Sequence, residues 1–170
     1  MQVNCFAPVV AADCRLLILG SMPGQRSLDA QAYYAHPQNR FWPMMETLFG
    51  VAASLPYETR LQQLQAQGVG IWDVLNQCFR IGSLDSEIEE DSIIVNDFAS
   101  LLHAHPHIRH ICFNGAKAEQ TYQRYVAGKA QLPYQPQYHR LPSTSPANAS
   151  IPWANKVAAW QLLPALLKLN

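Results

Sequence analysis

The run Leu16-Leu17-Ile18-Leu19 constrains this chain more than any other stretch. It has no polar alternation, so it predicts a strand covered on both faces, as in a parallel sheet layered between helices. Gly20-Ser21-Met22-Pro23-Gly24 follows at once. Its glycines and proline suit a tight turn whose backbone approaches something closely. Next comes Tyr33-Tyr34-Ala35-His36-Pro37-Gln38-Asn39-Arg40-Phe41-Trp42, rich in rings, amides and imidazole. Such groups stack on and hydrogen-bond flat polar ligands, and a loop at the carboxyl end of a parallel strand is where open α/β sheets bind them. The plainer alternative is a buried strand and a loop whose aromatics belong to the core.

The rest of the chain repeats this alternation. Further strands are expected over Val69 to Leu75, His110 to Gly115 (including its turn) and Gln137 to Leu141. Helices are expected over Asn39 to Phe49, ended by Gly50, and over Thr59 to Gln67, stopped by Gly68. Others run from Asp97 to Ala104, Ala116 to Val126 and Trp153 to Leu167, the last kinked at Pro164. Residues 1–13 read as a lead-in, and Asn76 to Asp91 as a long polar loop of the functional kind. Strands alternating with helices imply right-handed crossovers. The expected fold is α/β: a single three-layer domain over residues 1–170, with a central parallel sheet of about four strands flanked by helices.

Hydrophobic residues make up 49% and charged residues 14%, a globular composition. Lys+Arg and Asp+Glu number 12 each, which counts against a bulk nucleic-acid binder but leaves room for a local basic face. Cys5, Cys14, Cys78 and Cys112 form no C-x-x-C pair, so no zinc or iron–sulfur spacing is visible. His103, His105, His107 and His110 alternate around Pro106 with no acidic or thiol ligand adjacent, which suits a surface turn rather than a metal site. No signal peptide or membrane-length apolar run is present, so reduced cytoplasmic thiols are expected. The protein is further expected to be a monomer with no cofactor and no metal.

All the expected strands end in polar or glycine-rich turns, which a parallel sheet gathers on one edge. No G-x-G-x-x-G or Walker-type phosphate loop is among them. Gly20-Ser21-Met22-Pro23-Gly24, His36-Pro37-Gln38-Asn39-Arg40-Phe41-Trp42, Phe113-Asn114-Gly115-Ala116-Lys117 and Leu141-Pro142-Ser143-Thr144-Ser145-Pro146 occur in that order. Together they resemble the motifs of the uracil-DNA glycosylase superfamily. The second and third resemble its mismatch-specific branch, and the pattern as a whole is similar to the hypoxanthine-DNA glycosylase branch. Relatives that carry an Asn in the first motif place it where Met22 stands; methionine cannot hold a water. Leu141 stands where several branches carry His or Asn, with His139 the only nearby substitute.

The resemblance implies a monofunctional DNA glycosylase that releases deaminated bases, hypoxanthine first and uracil next, for base excision repair. Damaged DNA would be its partner. Asn39 would orient the hydrolytic water; its competing role is a helix cap. Gly20, Ser21, Met22, Pro23, Tyr34, Asp73 and Asn114 would hold the base, with Tyr34 stacking on it. An Asp73 carboxylate would accept a ring N–H and repel the N1 acceptor of adenine; its competing role is a loop cap. Arg40, Lys117, Ser143, Thr144, Ser145 and Pro146 would contact DNA, the serine-rich turn probing the strand. A basic patch of Arg40, Lys117, Arg140 and Lys156 would favour DNA over a free nucleoside. Arg80, Ser83 and Asp85 would order the neighbouring loop. The competing functions are a non-catalytic DNA-binding module of the same fold and a small-molecule nucleosidase.

Overall fold

The computed structural model describes residues 1–169. The Leu16–Gly20 strand (β2) is buried at every position, as its unbroken apolar run requires. It lies between β3 (Val69–Asp73) and β6 (His110–Asn114), and β7 (Gln137–Leu141) extends the sheet beyond β6. The order is β3-β2-β6-β7, all pairings parallel. Helices cover both faces, giving the three layers expected. Alternate strand residues feed alternate cores. Leu16, Ile18, Ile71 and Cys112 pack with Phe41, Met44, Leu61 and Trp160 on one side. Leu17, Leu19, Ile111 and Phe113 pack with Phe98, Leu102 and Tyr122 on the other.

The helices follow their predicted signals closely. Phe41–Phe49 (α2) ends at Gly50, whose φ of 72° is the left-handed conformation that terminates helices. Tyr57–Ala66 (α3) buries Leu61 and Leu64, and Phe98–Ala104 (α4) is capped by the Asp97 carboxylate accepting from Ser100 N. Ala116–Tyr125 (α5) follows β6 directly. The last helix is broken rather than bent: Trp153–Trp160 (α6) and Leu162–Lys168 (α7) meet at Gln161. The proline expected to kink it, Pro164, lies one turn further on. Its ring clashes with the carbonyl four residues earlier and its nitrogen cannot bond to it, so the disruption falls a turn upstream.

The second expected strand, Val69 to Leu75, is divided. After Asp73 the chain leaves the parallel sheet, and Leu75–Phe79 (β4) joins a separate three-stranded sheet. Its neighbours are Gln2–Asn4 (β1), within the expected lead-in, and Ile94–Val95 (β5), both antiparallel to it, in the order β1-β4-β5. Asn76 and Gln77 therefore belong to a strand rather than to a loop. A short helix, Gln25–Ala30 (α1), also follows the Gly20–Gly24 turn.

Registry positions the functional edge. Gly20 pairs with Asp73, Leu19 with Phe113, and Asn114 with Leu141. Gly20, Asp73, Asn114 and the turn after Leu141 thus stand side by side at the carboxyl ends of the strands, where a parallel α/β sheet leaves a crevice.

Candidate active site

That crevice is a cavity of about 460 Å³. Its floor is the Gly20–Gly24 turn with Asp73; Tyr34, His36 and Asn39 form one wall, and Asn114 with residues 143–148 another. The last side is Ser83 to Ser86 from the loop beyond β4. This loop is tied to the turn: Ser21 Oγ donates to Asp85 Oδ1 at 2.6 Å, and Gln25 N donates to Ser83 Oγ at 2.9 Å. Beneath them the guanidinium of Arg80, 1% exposed, donates to the Pro23 carbonyl. Its Nε and other terminal nitrogen are buried without partners.

Gly20 is a glycine because the cavity floor has no room for a side chain. A Cβ there would lie 2.6 Å from Asp73 Oδ1 and 3.2 Å from the Tyr34 hydroxyl. Asp73 is 4% exposed, and its Oδ2 is buried with no hydrogen-bond partner. Burial pushes its carboxyl up to about 7; Asp85 adds to the rise and Arg80 opposes it. The hydroxyl of Tyr34 is likewise buried and unpartnered, and burial followed by the Asp73 charge holds its ionisation well above the usual phenol range. Tyr34 has a left-handed φ of 58°, which turns its ring flat onto Phe41 at 3.9 Å between centroids. Phe41 covers one face; the rest of the ring lines the cavity.

Asn39 stands one residue before the N-cap position of α2, which Arg40 holds, and its Oδ1 accepts from Phe41 N at 2.9 Å, closing a side-chain turn at the helix start. That bond holds the amide at the cavity wall, so it is compatible with the proposed water-orienting role. Asn114 is used differently. Its Nδ2 donates to Thr144 Oγ1 at 3.0 Å, and its Oδ1 accepts from Thr144 N at 2.9 Å. Thr144 is 1% exposed, so its hydroxyl is a buried tie between β6 and the late turn, not a phosphate donor. Gly115 permits the close approach. Its φ of 99° excludes other residues, and a Cβ there would meet Ser143 Cβ at 3.0 Å. Arg40 N donates to Thr144 O at 3.0 Å, so the same turn is also bonded to the aromatic loop.

The comparisons with known proteins agree with this geometry. Residues 7–164 match the family described as the uracil DNA glycosylase superfamily. The chain belongs to that superfamily. A Methanosarcina acetivorans protein named hypoxanthine DNA glycosylase is 36% identical over 157 residues, 92% of this chain and 94% of its own. One of the same name from Methanosarcina barkeri is 35% identical over 119 residues, 69% of this chain and 74% of its own. The fold is similar to a solution NMR structure from Methanosarcina acetivorans described as a candidate uracil DNA glycosylase. That similarity has a TM-score of 0.81 at 33% identity over 99% of both chains.

The superfamily motifs meet in the cavity as their order suggested, but Met22 faces two ways. It lines the cavity yet is 7% exposed and packs with Val3, Leu75, Cys78 and Ile88 under the small sheet. Methionine suits that apolar cluster, and an amide in its place would be buried there. His139, a candidate substitute for a donor at Leu141, lies outside the cavity lining; its Nε2 is 3.2 Å from His110 Nδ1. Arg40 and Lys117 also lie outside it. Lys117 is ion-paired with Glu90, and Arg140 lies 3.6 Å from Glu119, so half of the expected basic patch is neutralised. Arg40 and Lys156 have no acidic partner among the described residues. They line a neighbouring groove that shares Ser145 and Pro146 with the cavity. There the Arg40 guanidinium sits 4.9 Å over the Trp153 ring, and Lys156 Nζ donates to Asn148 O at 2.7 Å. Trp153 was legible only as a helix residue; nothing local in the sequence brings it to Arg40.

Proposed function

We propose that this chain is a monofunctional DNA glycosylase that hydrolyses the N-glycosidic bond of deaminated bases in DNA, hypoxanthine first and uracil next, as a step of base excision repair. The observation that carries the reading is one cavity in which the Gly20–Pro23 turn, Asp73, Tyr34 and Asn39 converge at the strand ends. The Methanosarcina relatives named for hypoxanthine point to the same substrate. The enzyme takes the nucleotide out of the stack and seats its base on the cavity floor against Tyr34 and Asp73. As the bond to the sugar lengthens, positive charge grows on the sugar and negative charge on the base. The Asn39 amide orients the water that attacks the sugar; it is too weak a base to deprotonate that water, and the cation is stabilised by the strand's own phosphates.

Among the described residues no lysine lines the cavity, which supports hydrolysis rather than Schiff-base lyase chemistry. The groove beside it, with Arg40, Lys156 and Trp153 and no acidic side chain, supports a strand of DNA rather than a free nucleoside as the substrate. Ser145 and Pro146 sit where groove and cavity meet, Ser143 lines the cavity beside them, and all three contact the backbone around the extruded nucleotide. We place the protein as a monomer in the cytoplasm; its free thiols are consistent with a reducing compartment, and no described helix is long and apolar enough to cross a membrane. Oligonucleotides carrying hypoxanthine, uracil or xanthine are incubated with the chain and then treated with alkali. Strand breaks that depend on alkali support the reading, and breaks without alkali would assign a lyase. No base release from any of them, or equal release from free deoxyinosine, would overturn it.

A further inference from the structure

We infer that Asp73 meets the extruded base as a neutral carboxylic acid, its Oδ1–H donating to the base carbonyl. The inference rests on the glycosylase reading of the cavity and goes beyond a carboxylate that only accepts. Asp73 is 4% exposed, lines the cavity, and has a buried Oδ2 that nothing in the protein satisfies. An ionised carboxylate sealed in this way would need a cation. Arg80 is the basic group whose charge acts on it, but it makes no ion pair with Asp73, and one end of its guanidinium is taken by the Pro23 carbonyl; Arg26 of α1 lines the same cavity and is not paired with Asp73 either.

The other groups around Asp73 disfavour the anion or leave it unaided. Asp85, on the loop beyond β4, repels a second negative charge. Tyr33 and Tyr34 from the aromatic loop, Cys5 from the segment after β1 and Tyr57 at the start of α3 are themselves kept un-ionised by burial. His36 stands across the cavity. The carboxyl is accordingly raised to about 7, so it carries its proton in mildly acidic and near-neutral solution.

The chemistry of deaminated bases fits this protonation state. Hypoxanthine, xanthine and uracil each present a lactam edge, a ring N–H beside a carbonyl. Asp73 meets that edge through Oδ1, which lies beside Gly20, because Oδ2 is sealed off from the cavity. Protonated there, it gives the carbonyl oxygen a donor, whereas a carboxylate turns a lone pair toward it. Adenine carries an amino donor in that place, so donor would face donor. The O–H donor also lies where negative charge collects as the base departs, so reading and leaving-group stabilisation reside in one group.

The test uses the whole chain and its Asp73→Asn and Asp73→Ala variants, with a single-stranded deoxyinosine oligonucleotide and, separately, free hypoxanthine as probe. An amide has the same donor and acceptor as the neutral acid but does not titrate. Base release by the wild type should be flat below about pH 6.5 and fall about tenfold per pH unit above about pH 7.5. Asp73→Asn should restore most of what Asp73→Ala loses and should lack that alkaline fall. Hypoxanthine binding, measured by calorimetry, should weaken by about tenfold or more between about pH 6 and pH 8.5 in the wild type and stay constant in Asp73→Asn. Binding that strengthens with pH, or an Asp73→Asn protein as weak in binding and release as Asp73→Ala, would overturn the inference. Protein that binds hypoxanthine as described but releases nothing from DNA would sustain the role of Asp73 and sink the glycosylase reading. Release from DNA with hypoxanthine binding independent of pH would do the reverse.

Discussion

At the scale of single residues, several side chains at this site serve structure and chemistry at once, and substitutions can separate the two. Asn39 holds the first residue of α2 through Oδ1 and lines the cavity. Asn39→Ala should abolish base release and also cost about 1 kcal/mol of stability, the usual worth of one hydrogen bond. Asn39→Asp keeps the acceptor for Phe41 N but has no N–H donor, so it should fold as stably as the parent and still lose most activity. Single-turnover assays with thermal melts check both; an active Asn39→Asp protein would reduce Asn39 to a structural role. Asp73 gives a second test through stability alone. Its folded carboxyl is raised from 3.8 to about 7, so between those values the folded chain holds a proton that the unfolded chain releases. Stability from this group is therefore greatest in acid and declines as pH rises toward the folded value, by about 1.4 kcal/mol for each pH unit crossed. Asp73→Asn does not titrate, so its melting temperature relative to the wild type should climb from about pH 4 to about pH 7 and then level off. Asp85 is raised in the same sense, but it is common to both proteins and cancels.

At the scale of elements, the site depends on contacts between loops that the parallel strands bring level. The join of β6 to the late turn is the tightest of these. Gly115 combines a φ of 99° with only 3.0 Å from its missing Cβ to Ser143. Gly115→Ala should cost about 1–3 kcal/mol in urea denaturation and should slow base release as Ser143 and Thr144 are displaced. A variant of unchanged stability would show that the turn can move aside freely. The parallel strands, the helix stops at Gly50 and Gly68 and the motif turns were all legible, because apolar runs and glycines act locally. β4 was not, since its amide-bearing Asn76 and Gln77 look like loop and its partner β1 begins at Gln2. Strand pairing of that kind is set by tertiary contact rather than by propensity. Nor did the sequence reveal that Thr144 is consumed by Asn114, that Met22 is packed beneath the small sheet, or that Lys117 is claimed by Glu90. Each depends on which face a side chain takes after the chain has crossed the sheet.

At the scale of the whole molecule, the puzzle is how a chain with 12 basic and 12 acidic residues would hold a polyanion. The proposed reading rests on how the charges are distributed. Lys117 and Arg140 are spent on Glu90 and Glu119, while Arg40 and Lys156 stand unopposed in the groove that opens beside the base cavity. Trp153 lies under the Arg40 guanidinium and packs on the core, so it holds that cation at the groove, where on the proposed reading it meets the phosphates of the flanking strand. Binding of a single-stranded oligonucleotide, followed by fluorescence anisotropy over a salt series, should then show a shallow dependence, because few phosphates are neutralised. Each phosphate contact contributes about 0.7 to the slope of log affinity against log salt for single strands. Arg40→Ala and Lys156→Met should each lower that slope by about one contact and weaken binding, whereas Lys117→Ala should leave the slope unchanged. Lys156→Met keeps the apolar stem of a side chain that is only 4% exposed, so lost packing does not mimic lost charge. If Lys117→Ala instead flattened the salt dependence while Arg40→Ala did not, the strand would run over the start of α5, and the Arg40–Trp153 groove would have no part in holding DNA.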